Sequence, residues 1–244
     1  MVWGMVHPPG SNGFYLEGDF EGQADIASDG WRKRLARHFV DEMSPTQQAI
    51  FEDERGNGAH WYACHAVNKF SLRREFFAGI KDPSADPIQS HEIPRYFRAT
   101  GNCGNLASLA TFSGPVLTVD EPMRSFIEWL EPGVHQFFPI EVRRSRGAHL
   151  PDPRHLLVVE QRLDSFSEER SDKASFRKSS DQFWHSDRPA HVRGLAFRKA
   201  DMSNAHLWQE RRIGSFLLCF SDRLQAEIAD AGLRIPRHYP MIEV

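Results

Sequence analysis

Three groups of side chains have types and spacings that could do chemistry. His60, Cys64 and His65 combine imidazole and thiolate, both of which bind zinc. His60 and Cys64 share a face in a helix and a parity in a strand. No second ligand pair of recognisable spacing follows, so an aromatic core segment with partly buried polar tips is the plainer reading. His185, Asp187 and His191 lie in WHSDRPAH, where a carboxylate beside imidazole is the arrangement of metal ligands and of general bases. Pro189 interrupts any helix that would present both histidines, and a loop beside Trp184 is the plain alternative. Cys103 sits in Gly101-Asn-Cys-Gly-Asn105, which lacks the lysine of a P-loop and the third glycine of a dinucleotide fingerprint. It could be a nucleophile, yet no signature ties it to a base. Ser113 lacks the G-x-S-x-G elbow, and carboxylates cannot be paired as acid and base because sequence spacing does not report distance across a fold. No metal set or cofactor motif emerges.

The elements that would position such groups are clearest between Thr118 and Arg143. Met123, Phe126, Ile127 and Leu130 fall on one helical face, with Thr118 or Asp120 as cap, Pro122 in the first turn and Pro132-Gly133 as stop. The period then changes: Phe138, Ile140 and Val142 alternate with Pro139, Glu141 and Arg143, which marks a strand with one buried face. His155–Leu163 reads as the returning strand and Ser215–Phe220 as another. Ser221 would cap a helix over 222–231 that Gly232 ends. Trp31–Val40 predicts a helix with Trp31, Leu35 and Phe39 inward, and Ser44-Pro45 starts a second that Gly56-Asn57-Gly58 breaks. His60–Phe70 reads as a strand or buried segment, 164–182 as a polar loop, and Val192–Phe197 as a strand. The sum is α+β, a mostly antiparallel sheet with a few packed helices. Turn signals at Ser113-Gly114-Pro115 divide an N-terminal region, 1–114, from a domain over 115–244. No internal repeat is visible.

With 244 residues, 40% hydrophobic content and 18 phenylalanines, the chain can bury a sizeable core. A net charge of −3 argues against a general nucleic-acid binder. Arg32-Lys33-Arg34, Arg143-Arg144 and Arg211-Arg212 are short, scattered and neighboured by acids. The three cysteines form no C-x-x-C pair, which fits reduced thiols in a cytoplasmic protein. The N-terminus lacks the basic and apolar regions of a secretory signal, and no apolar run is long enough to cross a membrane.

LEPGVHQFFPIEVRR, then HLLVVEQRLDS, then NAHLWQERRIGSFLLCFSDRLQAEIADAGL, in that order, resemble the immunity protein family eleven of bacterial polymorphic-toxin systems. The similarity spans roughly residues 115–235 and is clearest from Glu131 to Glu141. The resemblance implies a non-enzymatic, stoichiometric inhibitor of a co-encoded toxin, with a nuclease as the expected toxin class. A metal-dependent hydrolase using the histidine clusters and a general protein-interaction module are the alternatives. Beside the resemblance stands an acidic bias near the N-terminus: Glu17, Asp19, Glu21, Asp25 and Asp29, then Asp41, Glu42, Glu52, Asp53 and Glu54. An acidic surface would be drawn to the basic cleft of a nuclease, and solubilising charge explains the same residues. Trp31, Trp61, Trp184 and Trp208 could anchor such a contact or fill a core. Trp129, off the apolar face of its helix, reads as a surface residue.

Overall fold

The first strand, Val2–Val6 (β1), pairs with two strands from the far end of the chain. The computed structural model describes residues 1–6, 13–21, 30–56, 58–72, 86–101, 103–113, 115–144, 149–150, 152–179, 182–214 and 217–244. After β1 come Tyr15–Leu16 (β2), Gly18–Phe20 (β3) and three helices, Gly30–Asp41 (α1), Pro45–Arg55 (α2) and Gly58–Asn68 (α3). Strands Tyr96–Ala99 (β4), Leu109–Phe112 (β5) and Val116–Asp120 (β6) lead to helix Glu121–Leu130 (α4), from which Gln136–Arg144 (β7) and Arg154–Val158 (β8) return. Then follow Arg162–Leu163 (β9), the hairpin Phe176–Ser179 (β10) and Gln182–His185 (β11), helix Pro189–Arg193 (α5), Ala196–Phe197 (β12) and helix Lys199–Met202 (α6). Leu207–Glu210 (β13), Leu217–Ser221 (β14), helix Asp222–Asp230 (α7) and His238–Glu243 (β15) complete the chain.

One sheet runs β2-β5-β6-β8-β7-β4-β3 and the other β12-β15-β1-β14-β13-β9. Most ladders are antiparallel; β2–β5, β4–β7, β9–β13 and β12–β15 are parallel. The architecture is α+β, as the residue pattern predicts. In the seven-stranded sheet β6, β8 and β7, which follow residue 115, lie between strands that precede it, β2 and β5 on one side and β4 and β3 on the other.

Alternation along the strands sends side chains into three cores. In β6, Val116 enters the core beneath α1 and α3, while Leu117 and Val119 enter a middle core. In β14, Leu217 and Cys219 face a third core with Phe166, Phe183 and Phe197, while Leu218 and Phe220 face the middle one. Helices α4 and α7 both close the middle core through Met123, Ile127, Leu224 and Ile228. Asp120 caps α4 by accepting the Met123 N–H at 3.0 Å, and Ser221 caps α7 by accepting the Leu224 N–H at 3.2 Å. Gly133 and Gly232 leave the two helices at φ 69° and 63°, the left-handed conformation that favours glycine.

Three segments differ from the sequence expectation. His60–Asn68 is helical (α3), not a strand, and it is buried as the alternative reading had it: Tyr62, Ala63, Ala66 and Val67 enter the core that α1 shares, while Trp61 stays exposed. Within 164–182 the structure builds part of a hairpin and buries Ser165, Phe166, Ser167, Ser171 and Ser175. There, small hydroxyl side chains bond backbone, as Ser171 does to Ser167 O, so a polar composition fills an interior. Val192–Phe197 splits between the end of α5 and β12.

Candidate partner-binding surface

Helix α2 buries none of its residues completely. It is held by a capping box, with Ser44 and Gln47 exchanging side-chain bonds to each other's backbone N–H, and by Gln48 Nε2 donating to Phe39 O and Met43 O. Phe51 turns inward, edge-on to Phe39 and Tyr62, and Arg55 pairs with Asp86 at 2.8 Å. That fixation leaves Glu52, Asp53 and Glu54 exposed in its last turn, while Asp41 and Glu42 stand exposed beyond its opposite end. Each helix of this layer also exposes one large apolar side chain: Val40 on α1 at 62%, Ile50 on α2 at 55% and Trp61 on α3 at 38%. Apolar groups among carboxylates on a rigid frame are the ingredients of a protein contact.

The other sequence-derived acids divide. Glu17 is exposed and Asp19 half-buried. Asp25 and Asp29 lie outside the described residues. Glu21 is committed to the fold: its carboxylate accepts from Arg34 Nε and Nη2 at 2.8 and 2.7 Å and from the Arg95 N–H at 3.0 Å. Arg34 in turn donates to the carbonyls of His91 and Ile93, fastening α1 to the segment before β4. Beneath, Lys69 Nζ meets the Glu92 carboxylate at 2.7 and 2.9 Å, both groups buried, and Trp31 Nε1 donates to Glu92 O. Trp31 and Trp208 are therefore core residues, not contact anchors, whereas Trp129 is 57% exposed with the Arg223 guanidinium 5.0 Å over its ring.

The histidine groups are not brought into ligand sets. Cys64 Sγ and His60 Nε2 lie 3.6 Å apart on the outside of α3, but His65 points inward and pairs with Asp86 at 3.0 Å. Burial lowers the His65 pKa, and Lys69 adds to the effect. His191 bonds the Ser186 hydroxyl while His185 bonds the Ser186 carbonyl, and Asp187 faces solvent. Among the described residues no three His, Cys, Asp or Glu side chains are grouped to hold a metal. Cys103 is buried in the first core, and Ser113 Oγ accepts the Gly18 N–H.

A cleft of about 530 Å³ opens at the start of α4, lined in part by Asp120, Glu121, Arg144, Asp152 and Arg154. Three of these charges serve the fold. Asp120 is the helix cap, Glu121 pairs with Arg124 at 2.6 Å, and buried Arg154 donates to Ala107 O and to Thr118. Burial lowers the Arg154 pKa to about 10.

Sequence reading missed the polar group that joins the two sheets. Glu131, just past α4, is 5% exposed; its carboxylate is within 2.9 Å of His135 Nε2 and accepts from Gln161 Nε2 at 2.8 Å and from the N–H groups of His206 and Leu207 at 2.7 and 2.9 Å. Burial alone would raise this carboxyl's pKa, but the donors hold it below its ordinary value. The spacing Glu131-x3-His135 was the available signal, inside the very segment where the family resemblance is clearest.

No helix among the described residues is long and apolar enough to cross a membrane. No curated protein matches the chain. The profile of the Immunity protein family (Imm11) matches residues 32–239.

Proposed function

Because the chain belongs to the Immunity protein family (Imm11), we propose that it is a non-enzymatic inhibitor that binds one co-encoded toxin and blocks it stoichiometrically in the cytoplasm of the producing cell. The family match over residues 32–239 is the observation that carries this reading. The contact is assigned to the outer side of α1–α3: Asp41, Glu42, Glu52, Asp53 and Glu54 supply the charge, and Val40, Ile50 and Trp61 the apolar area, with Glu17 and Asp19 as further acids. Rim carboxylates steer a basic partner before contact, and a nuclease, whose cleft must attract phosphates, is the toxin class they fit. A stable complex of this kind buries on the order of 1,600 Å², more than α2 alone can offer, so α1 and α3 take part.

The test is co-expression with the product of the adjacent gene and titration of that product's activity. Activity should fall to zero at an equimolar ratio, with a complex that survives gel filtration. Protection at far below one equivalent would replace inhibition by catalysis. Reversing Glu52, Asp53 and Glu54 to lysine should slow association about 10-fold or more and weaken its salt dependence. An unchanged rate with an intact complex would move the contact elsewhere on the molecule.

A further inference from the structure

Residues 116–142 and 217–243 align without a gap: each is a strand, a capped helix and a returning strand. Leu117 matches Leu218, Asp120 matches Ser221 as cap, Met123 matches Leu224, Ile127 matches Ile228 and Pro139 matches Pro240. The ladders around them keep the same register. Leu109 opposite Val119 corresponds to Leu207 opposite Phe220, and Pro139 opposite His155 to Pro240 opposite Trp3. Phe97 opposite Val142 corresponds to Phe197 opposite Glu243, and Leu16 opposite Phe112 to Leu163 opposite Glu210. Bonds outside the ladders repeat too. The Thr111 N–H donates to Phe14 O and the Gln209 N–H to Gln161 O; the Asp120 N–H donates to Ser108 O and the Ser221 N–H to His206 O.

Thus β2, β5, β6, β8, β7 and β4 map in order onto β9, β13, β14, β1, β15 and β12, with every parallel or antiparallel sense preserved. Helices α4 and α7 occupy the same place in each set, and Leu109, Leu117, Val119, Leu157, Met123 and Ile127 share the middle core with their counterparts. Packing alone often lays a helix on a sheet, but it does not impose one register on five successive ladders.

We infer that the chain contains two copies of one unit of six strands and one helix, and that the second copy is circularly permuted. Its closing strand, the counterpart of β8, is β1 at the start of the chain. No repeat is visible in the residues themselves; the strand pairing carries it. Segments inserted at the same point set the copies apart: α1–α3 before β4, and the β10–β11 hairpin with α5 before β12. The common unit is a frame to which each copy adds its own insertion. The duplication stands independently of the toxin reading.

Met1 N lies 3.0 Å from the Glu243 carboxylate, so the ends of β15 and β1 adjoin as those of β7 and β8 do. The test opens the full chain between β1 and β2 and joins Val244 to Met1 through residues 144–152, the connection that the first copy uses at the equivalent point. This permutant should unfold in one cooperative transition within about 4 °C of the natural order. A permutant that stays unfolded, while the natural-order chain with the same joint as a tail folds, overturns the inference. A second variant needs no joint: residues 121–130 are written over 222–231 in the natural order. It should retain folding where the same graft displaced by one residue does not, and equal loss in both grafts overturns the inference as well.

Discussion

The loops that leave α4 and α7 do the same job with different chemistry. Each reaches across to the other sheet and fixes the first residue of the strand next to its edge, β13 or β5. After α4, the carboxylate of Glu131 accepts the Leu207 N–H; after α7, the backbone carbonyl of Arg234 accepts the Leu109 N–H at 3.3 Å. One side therefore depends on a side chain that must stay ionised while buried, the other on a group no substitution removes. The two crossings are geometrically alike and unequal in what can break them.

The largest expected effect exploits that inequality. Glu131→Ala should destabilise the protein by about 3–5 kcal/mol in urea denaturation, because four donors lose a charged acceptor. Arg234→Ala keeps its carbonyl and should cost less than about 1 kcal/mol. Similar losses from both would mean that the Arg234 side chain, through Asn105, carries its crossing after all.

Next come the equivalent sockets. Ile127→Ala and Ile228→Ala each empty one position under a helix and should each cost about 2–5 kcal/mol. Values that agree to about 1 kcal/mol would sharpen the likeness of the two units; a large disparity would show that one helix carries the middle core.

Glu210 stands where the first unit has Phe112, and it gives the second unit a pH dependence of its own. Burial raises its pKa to about 6, against the opposing bonds from the Ser165 N–H and hydroxyl. The folded protein binds this proton more tightly than the unfolded chain, so stability should fall as pH rises from about 4.5 to 6, by about 2 kcal/mol. Glu131 acts in the opposite sense. Its lowered pKa adds stability above the unfolded carboxyl value, which is lost as the pH drops through the folded one. Glu210→Gln should flatten the first limb in a pH series of unfolding curves and leave the second in place. The smallest effect concerns the caps: Asp120→Ala and Ser221→Ala should each cost about 1 kcal/mol, measured by thermal unfolding.

How much of this was legible depended on how local the information was. The α4–β7 unit could be read because Met123, Ile127, Ile140 and Val142 announce first one period and then the other, and α7 could be read for the same reason. Ala231, three residues after Ile228 and so in line with the apolar face, is nevertheless exposed at the cap. Helix α3 was ambiguous because it is apolar nearly all round, and burial on several faces erases the period. The duplication was hidden because only Leu117, Ile127 and Pro139 recur as the same residue in the matched stretch, and because the sixth strand sits at the opposite end of the chain. Among the candidate acids, nothing local distinguished Glu21, which clamps Arg34, from Glu52, which faces water. That difference is set by a helix and a strand far apart in sequence.

The three cysteines lie at three depths, Cys64 half-exposed on α3, Cys103 in the core beneath the helices and Cys219 fully buried in the third core. Burial also raises the Cys219 thiol's pKa, so little of it is thiolate at neutral pH. A thiol-directed reagent should modify Cys64 within the native ensemble and reach Cys219 only when the six-stranded sheet opens. The labelling rates then clock each layer's excursions from the folded state, with no probe added to the chain.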